Sequence, residues 1–317
     1  MTRPATASVE RLVEEYRALR DTAAVVDLER WTVLKVTGPE TRDFLQGTAT
    51  QDFGAPSSAG AALRTLFLTE KGRPVAHAWV GFGQDPDSAA QHSSSAMILA
   101  DEGARAGLRP HLERFRIMED VEFHGPDAMP RLFGVAGPER DRQAQAIASK
   151  VEGAVALRSE PLSFVLTPPD APQSSLPPSV DPLAFTAWRV RVGLPFQGVD
   201  LDLDRIATEL ALPETISMTK GCYVGQEVVA RTAHRGRLRR QRLGFRFPWG
   251  GEPIPKGTEL RSGGLEVGHV TSTAWEPGTG EGLGMGYVAP ESLGLGLDIL
   301  AIQGEKSTHL SPHSWPL

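Results

Sequence analysis

The 317-residue sequence predicts an α+β protein that ends in a small all-β barrel or sandwich. Helical and strand periodicities alternate as far as about residue 240. Beyond that point helical periodicity disappears, and short apolar runs alternate with turns rich in glycine and proline, such as PWGGEPIPKG. In addition, VTGPETRD at 36–43 and VAGPERDR at 135–142 share the order strand, Gly-Pro-Glu, helix. Because this unit occurs only twice, it indicates two similar lobes and not a solenoid.

The first elements follow from residue spacing. Apolar residues recur every three or four positions from Val9 to Leu19, which predicts a helix, and Ser8 is a suitable N-cap. WTVLKVTG at 31–38 is typical of a strand that ends in a turn. PETRDFLQG at 39–47 predicts a short helix that begins at its proline and ends before its glycine.

A hairpin is predicted next, over RTLFLTEKGRPVAHAWVG at 64–81. Two runs rich in β-formers flank the turn Glu70–Arg73, in which Gly72 can adopt a positive φ. The elements expected after it are a polar loop at 84–95, a strand at 96–100, a helix at 107–115 and a strand at 119–125.

The proline- and serine-rich stretch TPPDAPQSSLPPSVDP at 167–182 predicts a surface loop or linker. Together with the loss of helical periodicity beyond about residue 240, it suggests a division of the chain into two regions. Residues 1–235 would form an α+β region with two similar lobes and a loop or linker near 167–182. Residues 236–317 would form the C-terminal β-barrel.

The amino-acid composition is typical of a soluble globular protein. The 33 basic and 39 acidic side chains give a net charge of -6, which opposes general binding to nucleic acid or to anionic membranes. A single cysteine forms no internal disulfide, and no apolar stretch resembles a signal peptide or a membrane span. We therefore expect a cytoplasmic protein without a membrane association.

The segment TKGCYVGQEVVAR at 219–231 contains the only cysteine, Cys222. A thiolate near neutral pH needs stabilisation, and Lys220 or Arg231 could supply positive charge. The glycines on either side permit a tight turn and the close approach of a ligand. Residue types alone leave a second interpretation open, in which Cys222 is a small, buried and inert side chain.

Other chemistry is poorly supported. His234 is near in sequence, but no local signature of a cysteine protease surrounds it. The eight histidines form no HxH pair, and no metal site is predicted. No phosphate-binding loop or nucleophile elbow is present either.

Seven arginines lie between 231 and 246, within RTAHRGRLRRQRLGFRF. In an acidic protein this arginine run should create a local positive field suited to carboxylates, phosphates or RNA. The alternative is a solvated edge strand whose arginines discourage pairing with other strands. Only two phenylalanines interleave with the run, so RNA is the weaker form of the functional interpretation.

At this point the sequence resembles a known family. KGCYVGQEVVAR, with RVRVGLP at 189–195 before it and HRGRLRRQRLGF at 234–245 after it, is similar to YgfZ-type folate-binding proteins. These are relatives of the glycine-cleavage T-protein, an aminomethyltransferase. The resemblance extends over nearly the whole chain and is weakest at 84–95 and 143–182. It implies a T-protein-like, multi-lobed folate-binding fold with a central cavity and a C-terminal β-barrel.

The resemblance also implies a role in assembling or repairing iron–sulfur clusters, with links to tRNA modification. Cys222 would be a reactive or transient ligand thiol, tuned by Lys220 and Arg231. Since a cluster normally needs about four thiolates, iron–sulfur assembly proteins or client enzymes would supply the others. The site residues implied by the motif are Lys220, Gly221, Cys222, Tyr223, Gly225, Gln226, Glu227 and Arg231.

Departures from the T-protein pattern bear on its reaction. The Asp-Asp pair of aminomethyltransferases, one member of which is catalytic, aligns with Ala76 and His77, so the usual acid is missing. The family's Arg-Leu-Glu-Ala-Gly, whose glutamate recognises the pteridine, aligns with 189–193. Arg189 is retained, but Arg191 replaces that glutamate. Aminomethyl transfer is therefore not expected, and pteridine binding could be weakened or reoriented.

The expected cofactor is tetrahydrofolate or a derivative. Arg239 and Arg240 would hold the carboxylates of its glutamate tail. Two other functions remain open: a one-carbon transferase that has repositioned its acid, and an RNA-associated module that uses the arginine run.

Overall fold

A computed structural model describes residues 6–54, 60–83, 95–125, 130–235, 238–293 and 298–317, without the side chains of residues 6–8, 234 and 235. Most of the predicted polar loop, residues 84–94, and Arg237 of the arginine run lie outside the described residues. Among the helices that are described, none is long and apolar enough to cross a membrane.

The described ranges contain seven α-helices and fifteen strands. The helices are α1 (Thr6–Asp21), α2 (Thr41–Thr48), α3 (Arg105–Phe115), α4 (Arg140–Ala148), α5 (Pro182–Val192), α6 (Gln226–Arg235) and α7 (Pro290–Leu293). The strands are β1 (Ala24–Asp27), β2 (Thr32–Thr37), β3 (Ala62–Leu68), β4 (Pro74–Phe82), β5 (Ser95–Ala100), β6 (Glu122–His124), β7 (Arg131–Ala136), β8 (Val155–Leu157), β9 (Leu162–Thr167), β10 (Gln241–Pro248), β11 (Glu259–Ser262), β12 (Leu265–Trp275), β13 (Glu281–Val288), β14 (Ile299–Gln303) and β15 (Lys306–His313).

A five-stranded antiparallel sheet in the order β3-β4-β5-β2-β6 forms the first lobe. The predicted hairpin is β3–β4, and Gly72 in its turn has φ +70°. Helix α2 begins two residues after Pro39 and runs through Gly47, so both predicted ends are wrong. No atom lies within 4 Å of a Cβ built at Gly47, and the helix continues until Ala49 turns to extended backbone.

A second sheet, in the order β1-β7-β9-β8, carries α4 on one face. The sequence echo marks the same junction in both sheets, where β2 leads to α2 and β7 leads to α4. Gly38 and Gly137 occupy these junctions with φ +127° and +110°. A Cβ would lie 2.1 Å from the Asp120 carbonyl oxygen at the first and 2.5 Å from the Thr22 carbonyl oxygen at the second. Glycine is therefore required by close backbone packing at both.

The C-terminal strands close into a six-stranded barrel in the order β10-β13-β12-β11-β14-β15, which confirms the predicted β-barrel. Strand β10, which contains the end of the arginine run, pairs with β13 on one side and β15 on the other. The edge-strand interpretation of the run is therefore wrong for this part of it. The division of the chain at 235/236 stays a prediction.

Helix α5 joins the sheets to the barrel. Helix α5 packs against α1 and against barrel strands β12 and β13, and its apolar residues belong to the largest core cluster. The proline-rich segment after β9 contains one 3₁₀ turn, Gln173–Ser175, and leads to Asp181, whose side chain accepts a hydrogen bond from the Leu183 N–H and caps α5. This arrangement places the C-terminal end of α5 where the two sheets and the barrel meet.

Candidate functional site

Cys222 is exposed on the loop that leads into α6. The alternative interpretation, a buried and inert cysteine, is therefore wrong. Neighbouring residues in the loop are also accessible. Gly221 is exposed, with no atom within 4 Å of a built Cβ, and Met218 is 54% exposed. The thiol thus lies at the surface, in a position that another protein can reach.

Lys220 belongs to the same loop, and its side chain is buried. Its ammonium donates hydrogen bonds to the carbonyl oxygens of Gln46, Ala49 and Gln51 at 2.7, 2.8 and 2.7 Å. Burial lowers its pKa to about 8, so all three donors are present at pH 7. Since an ammonium has three N–H donors, these contacts use all of them. Lys220 therefore anchors the loop to the end of α2, and this contradicts the prediction that its charge is directed at Cys222.

The same loop is fixed at its other end by Tyr223 and Gly225. Tyr223 is buried, and the next residue donates its backbone N–H to the Gly47 carbonyl oxygen at 3.2 Å. Gly225 has φ +83°, and a Cβ there would lie 2.6 Å from the Thr69 carbonyl oxygen. The β3–β4 turn and the cysteine loop are thus packed backbone to backbone.

We expect Gly225→Ala to lower the free energy of unfolding by about 3 kcal/mol, from backbone strain and from the contact with Thr69. Gly264→Ala is the matched control, since Gly264 has φ +84° but no atom within 4 Å of a built Cβ. It should lose only about 1 kcal/mol. Urea denaturation of both variants measures the difference, and equal losses would contradict the close packing.

Glu227 and Arg231 form an exposed ion pair one turn apart on α6, with the Arg231 guanidinium donating to the Glu227 carboxylate. Gln226 begins this helix and is half-buried. The contact that the structure gives Arg231 is therefore with Glu227, and the predicted effect of its charge on Cys222 stays a prediction.

A second feature is a central cavity of about 590 Å³ between the two sheets, α5 and the barrel. Its volume lies within the range typical of small-molecule sites. Four arginines and two glutamates provide its charged lining, so cationic groups predominate. These charged residues are Arg20, Arg64, Arg140, Arg242, Glu160 and Glu214.

Ala76 and His77, the residues at the aligned acid pair, are both fully buried in β4. His77 lies behind Arg64, whose Nε donates to His77 Nε2 at 3.3 Å, while Arg64 Nη1 pairs with Glu214 at 2.5 Å. Burial, followed by the charge of Arg64, holds the pKa of His77 well below 6.5. Neither position offers a carboxylate, which agrees with the expected loss of the family's acid.

Arg189 and Arg191 do not line the cavity, contrary to the prediction that they contribute to its ligand site. Arg189 is buried and pairs with Asp200 at 2.7 Å. Arg191 pairs at 2.6 Å with Glu276, a buried carboxylate that also accepts a hydrogen bond from the Tyr16 hydroxyl at 2.7 Å. Both arginines are therefore held in ion pairs that join α5 to its neighbours.

The arginine run does not form one patch in the described residues. Arg239 and Arg240 lie away from the cavity lining, and their backbone N–H groups donate to Glu209 at 3.1 and 3.2 Å. Arg246 pairs with Glu276 and Glu281, and Arg242 is buried in the cavity wall. Arg239 and Arg240 therefore do not line the cavity, and the prediction that they hold the carboxylates of a folate tail near its mouth stays a prediction.

Sequence reasoning missed three residues of the cavity wall. Arg64 and Trp315 belong to no motif, and Arg242 was not distinguished from the other arginines of the run. One available signal was alternation, because side chains on a barrel strand point alternately inward and outward. Alternation predicts that Arg242 points to the opposite side of the strand from its two sequence neighbours. It does not predict which residues surround Arg242.

The comparisons with known proteins agree with this geometry. Residues 240–309 match the glycine cleavage T-protein C-terminal barrel domain. The chain is 27% identical over 267 residues to the mitochondrial iron–sulfur cluster assembly factor IBA57 of Homo sapiens, covering 76% of this chain and 72% of that protein. It is 29% identical over 234 residues to the IBA57 homologue of Pyricularia oryzae, covering 70% of this chain and 57% of that one.

The fold has a solved counterpart in the glycine cleavage system aminomethyltransferase T of Bartonella henselae. The TM-score is 0.78 at 19% identity, and the match covers 96% of this chain and 89% of the other. This likeness confirms the predicted T-protein-like fold. Together with the barrel domain and the sequence relatives, it shows that the chain is similar to the glycine cleavage T-protein in fold and to the IBA57 iron–sulfur cluster assembly factors in sequence.

Proposed function

We propose that the protein acts in iron–sulfur cluster assembly or repair, as an accessory factor that presents Cys222 to a cluster held by a partner protein. The observation that supports this most directly is the position of the thiol. It is the chain's only cysteine, it is exposed, and the loop around it is anchored from below by Lys220 and Gly225. A partner therefore meets the thiol in a fixed position.

One thiolate is one cluster ligand, and in the described residues no group of three or more His, Cys, Asp or Glu side chains is placed to hold a metal. The cluster is accordingly cargo that stays partly bound to its carrier. In the exchange step, the Cys222 thiolate forms a bond to iron as one thiolate of the carrier leaves. The leaving thiolate takes up the proton that Cys222 released, so charge and atoms balance.

Tetrahydrofolate or a derivative is the ligand that we propose for the central cavity. The cavity has a suitable volume, and its arginines favour a ligand with carboxylates. A bound folate would supply one-carbon or reducing chemistry. The protein's residues would bind and orient it, with Arg64 held in place by His77 and Glu214.

The finer assignments rest on the resemblance and on composition. We assign the chain to the YgfZ branch because of KGCYVGQEVVAR, and we expect its clients to include iron–sulfur enzymes of tRNA modification. A lone thiol without a disulfide partner suits a reducing compartment, and we propose the cytoplasm. Aminomethyl transfer is disfavoured because Ala76 and His77 provide no carboxylate, and RNA binding because the arginines are dispersed.

Cluster transfer tests the role of Cys222. A [2Fe–2S]-loaded scaffold protein is mixed with an apo-ferredoxin and this protein, and visible circular dichroism follows the arrival of the cluster. Because a cluster ligand is lost, Cys222→Ser should slow the stimulated transfer by at least about tenfold. The matched control combines Cys222→Ser with Leu265→Cys, which restores one exposed thiol on the barrel, where Leu265 is 73% exposed.

Full activity of Cys222→Ser would overturn the proposed role of the thiol. Equal activity of the relocated thiol would show that any surface thiol suffices and that the loop has no part in it. Purified protein should contain no stoichiometric iron, and a complete cluster on the monomer would contradict the role of a partner. Titration with 5-formyltetrahydrofolate tests the cavity separately, with binding near one-to-one expected.

A further inference from the structure

Arg242 is a buried cation whose contacts are all with uncharged groups. Its side chain is 1% exposed, and across the described ranges no carboxylate oxygen lies within 4.0 Å of its guanidinium nitrogens. Burial lowers its pKa to about 10, which leaves it charged at pH 7. Because an unpaired buried charge is costly, this site in the cavity wall favours an anionic ligand group.

The guanidinium also has donor capacity to spare. Nε donates to the Leu210 carbonyl oxygen at 2.9 Å, and Nη1 donates to the Gly193 carbonyl oxygen at 3.1 Å. The remaining contacts are weak: Nη1 to Met285 Sδ at 3.3 Å and Nη2 to the Ala211 carbonyl oxygen at 3.5 Å. Four contacts leave one of the five N–H groups, on Nη2, without an acceptor in the described part of the chain.

Trp315 lines the cavity beside this cation, with the Arg242 Cζ atom 4.3 Å from its ring centroid. Its indole N–H donates to the Val190 carbonyl oxygen at 3.1 Å, near the C-terminal end of α5. A Cβ at Gly193 would lie 2.5 Å from the indole ring. The ring thus rests on a glycine surface that no other residue would provide.

The residues after Trp315 hold it in place. The Leu317 N–H donates to the Arg191 carbonyl oxygen at 2.7 Å, and the Leu317 side chain is buried. A Cβ at Gly244 would lie 2.5 Å from Leu317 Cδ2. Hence the indole is a fixed part of the wall, although Ser314 and Pro316 on either side of it are exposed.

We propose that Arg242 and Trp315 together recognise an aromatic ring joined to a carboxylate-bearing amino acid in the central cavity. The indole would stack on the aromatic ring, and Arg242 would bind the carboxylate. The proposal rests on the proposed folate function and names the part of the ligand that these residues bind. In a folate that part is the p-aminobenzoylglutamate half. A cation behind the indole withdraws electron density from it, which favours an electron-rich ring such as an aminobenzoyl group.

The test is calorimetric titration of the full chain with p-aminobenzoylglutamate, and separately with 6-hydroxymethylpterin, which has no carboxylate. Trp315→Ala and Arg242→Lys should each weaken binding of p-aminobenzoylglutamate about tenfold, through lost stacking in the first and through loss of the free Nη2 N–H donor in the second. Trp249→Ala and Arg261→Lys, both on the barrel away from the cavity lining, should leave it unchanged. Circular dichroism checks that each variant is folded. If Arg242→Lys does not fold, the test is decided by Trp315→Ala alone.

Failure of the wild type to bind p-aminobenzoylglutamate, or unchanged affinity in the folded variants, would overturn the proposal. Tighter binding of the pterin that depends on Trp315 would also overturn it, because the indole would then serve the other half of the ligand. Binding of p-aminobenzoylglutamate without binding of 5-formyltetrahydrofolate would support the two residues and refute the folate assignment. The reverse pattern would refute this proposal and leave the folate assignment standing.

Discussion

Replacing Lys220 by methionine is expected to lower the free energy of unfolding by about 3 kcal/mol at pH 7. Methionine fills most of the same space but donates no hydrogen bond, so the three carbonyl groups between Gln46 and Gln51 lose a shared partner. These groups lie at the end of α2, where no further helical turn can satisfy them. The loss should therefore exceed that of an ordinary surface lysine.

Lys256→Met provides that comparison. Lys256 is exposed, and its ammonium donates to a single carbonyl oxygen, that of Gly198, at 2.7 Å. Its replacement should cost less than about 1 kcal/mol. Urea denaturation at pH 7 measures both variants, and similar losses would show that the three carbonyl contacts of Lys220 add nothing to stability.

The reactivity of Cys222 provides a second readout of the same change. The thiol is already exposed, so Lys220→Met should not unmask it, but the loop should become less fixed. Hydrogen exchange of the backbone at 216–225 should speed up, and stimulated cluster transfer should fall while the thiol count stays at one per chain. Unchanged exchange in the loop would contradict the anchoring role of Lys220.

This role also marks the limit of what the sequence could predict. The lysine and the cysteine are two positions apart, which suggested an electrostatic influence of one on the other. The acceptors of Lys220 are more than 160 positions away, at the end of a helix whose boundary was itself misplaced by the pattern of proline and glycine. Local spacing contains no information on a contact of that kind.

Local patterns succeeded where an element is decided by its own residues. The β3–β4 hairpin follows from two β-rich runs and a glycine that adopts a positive φ, and the barrel follows from short apolar runs between turns. The fold of the whole chain was reached through the family resemblance and not through these patterns. The central cavity draws its wall from segments as distant as Arg20 and Trp315, so periodicity could not assemble it.

The arginines show the same limit. Their concentration between 231 and 246 suggested one positive patch, but their partners differ: Glu227 for Arg231, two glutamates for Arg246, and uncharged groups for Arg242. Composition predicts the number of charges and not their neutralisation. The buried cation in the cavity wall was therefore found only from its surroundings.

The second large effect is expected for Asp200→Asn, which should lower the free energy of unfolding by about 4 kcal/mol at pH 7. The Asp200 carboxylate is fully buried and accepts from Arg189 Nη1 at 2.7 Å, the Phe196 N–H at 3.0 Å and the Thr271 hydroxyl at 2.8 Å. An asparagine must turn an N–H₂ group toward one of these donors, and it leaves the buried Arg189 without a counter-charge.

Asp202→Asn is the control in the same loop. Asp202 also pairs with an arginine, Arg205, at 3.1 Å, but its side chain is 37% exposed. Solvent replaces such a pair readily, so the loss should be about 0.5 kcal/mol. Equal losses for the two variants would show that burial of the Arg189–Asp200 pair is not what makes it important.

The pH dependence separates this charge effect from a packing defect. Burial alone would raise the pKa of Asp200, but Arg189 and the hydrogen bonds outweigh it and hold the pKa below its ordinary value of 3.8. A carboxylate with a depressed pKa stabilises the fold fully above its unfolded pKa and loses that contribution as pH falls through the folded value. The gap between wild type and Asp200→Asn should therefore be constant from pH 5 to pH 7 and should narrow only in stronger acid. A gap that persists undiminished below the folded pKa would mean that the asparagine disturbs packing, and that α5 is held to the segment around Asp200 by packing more than by this ion pair.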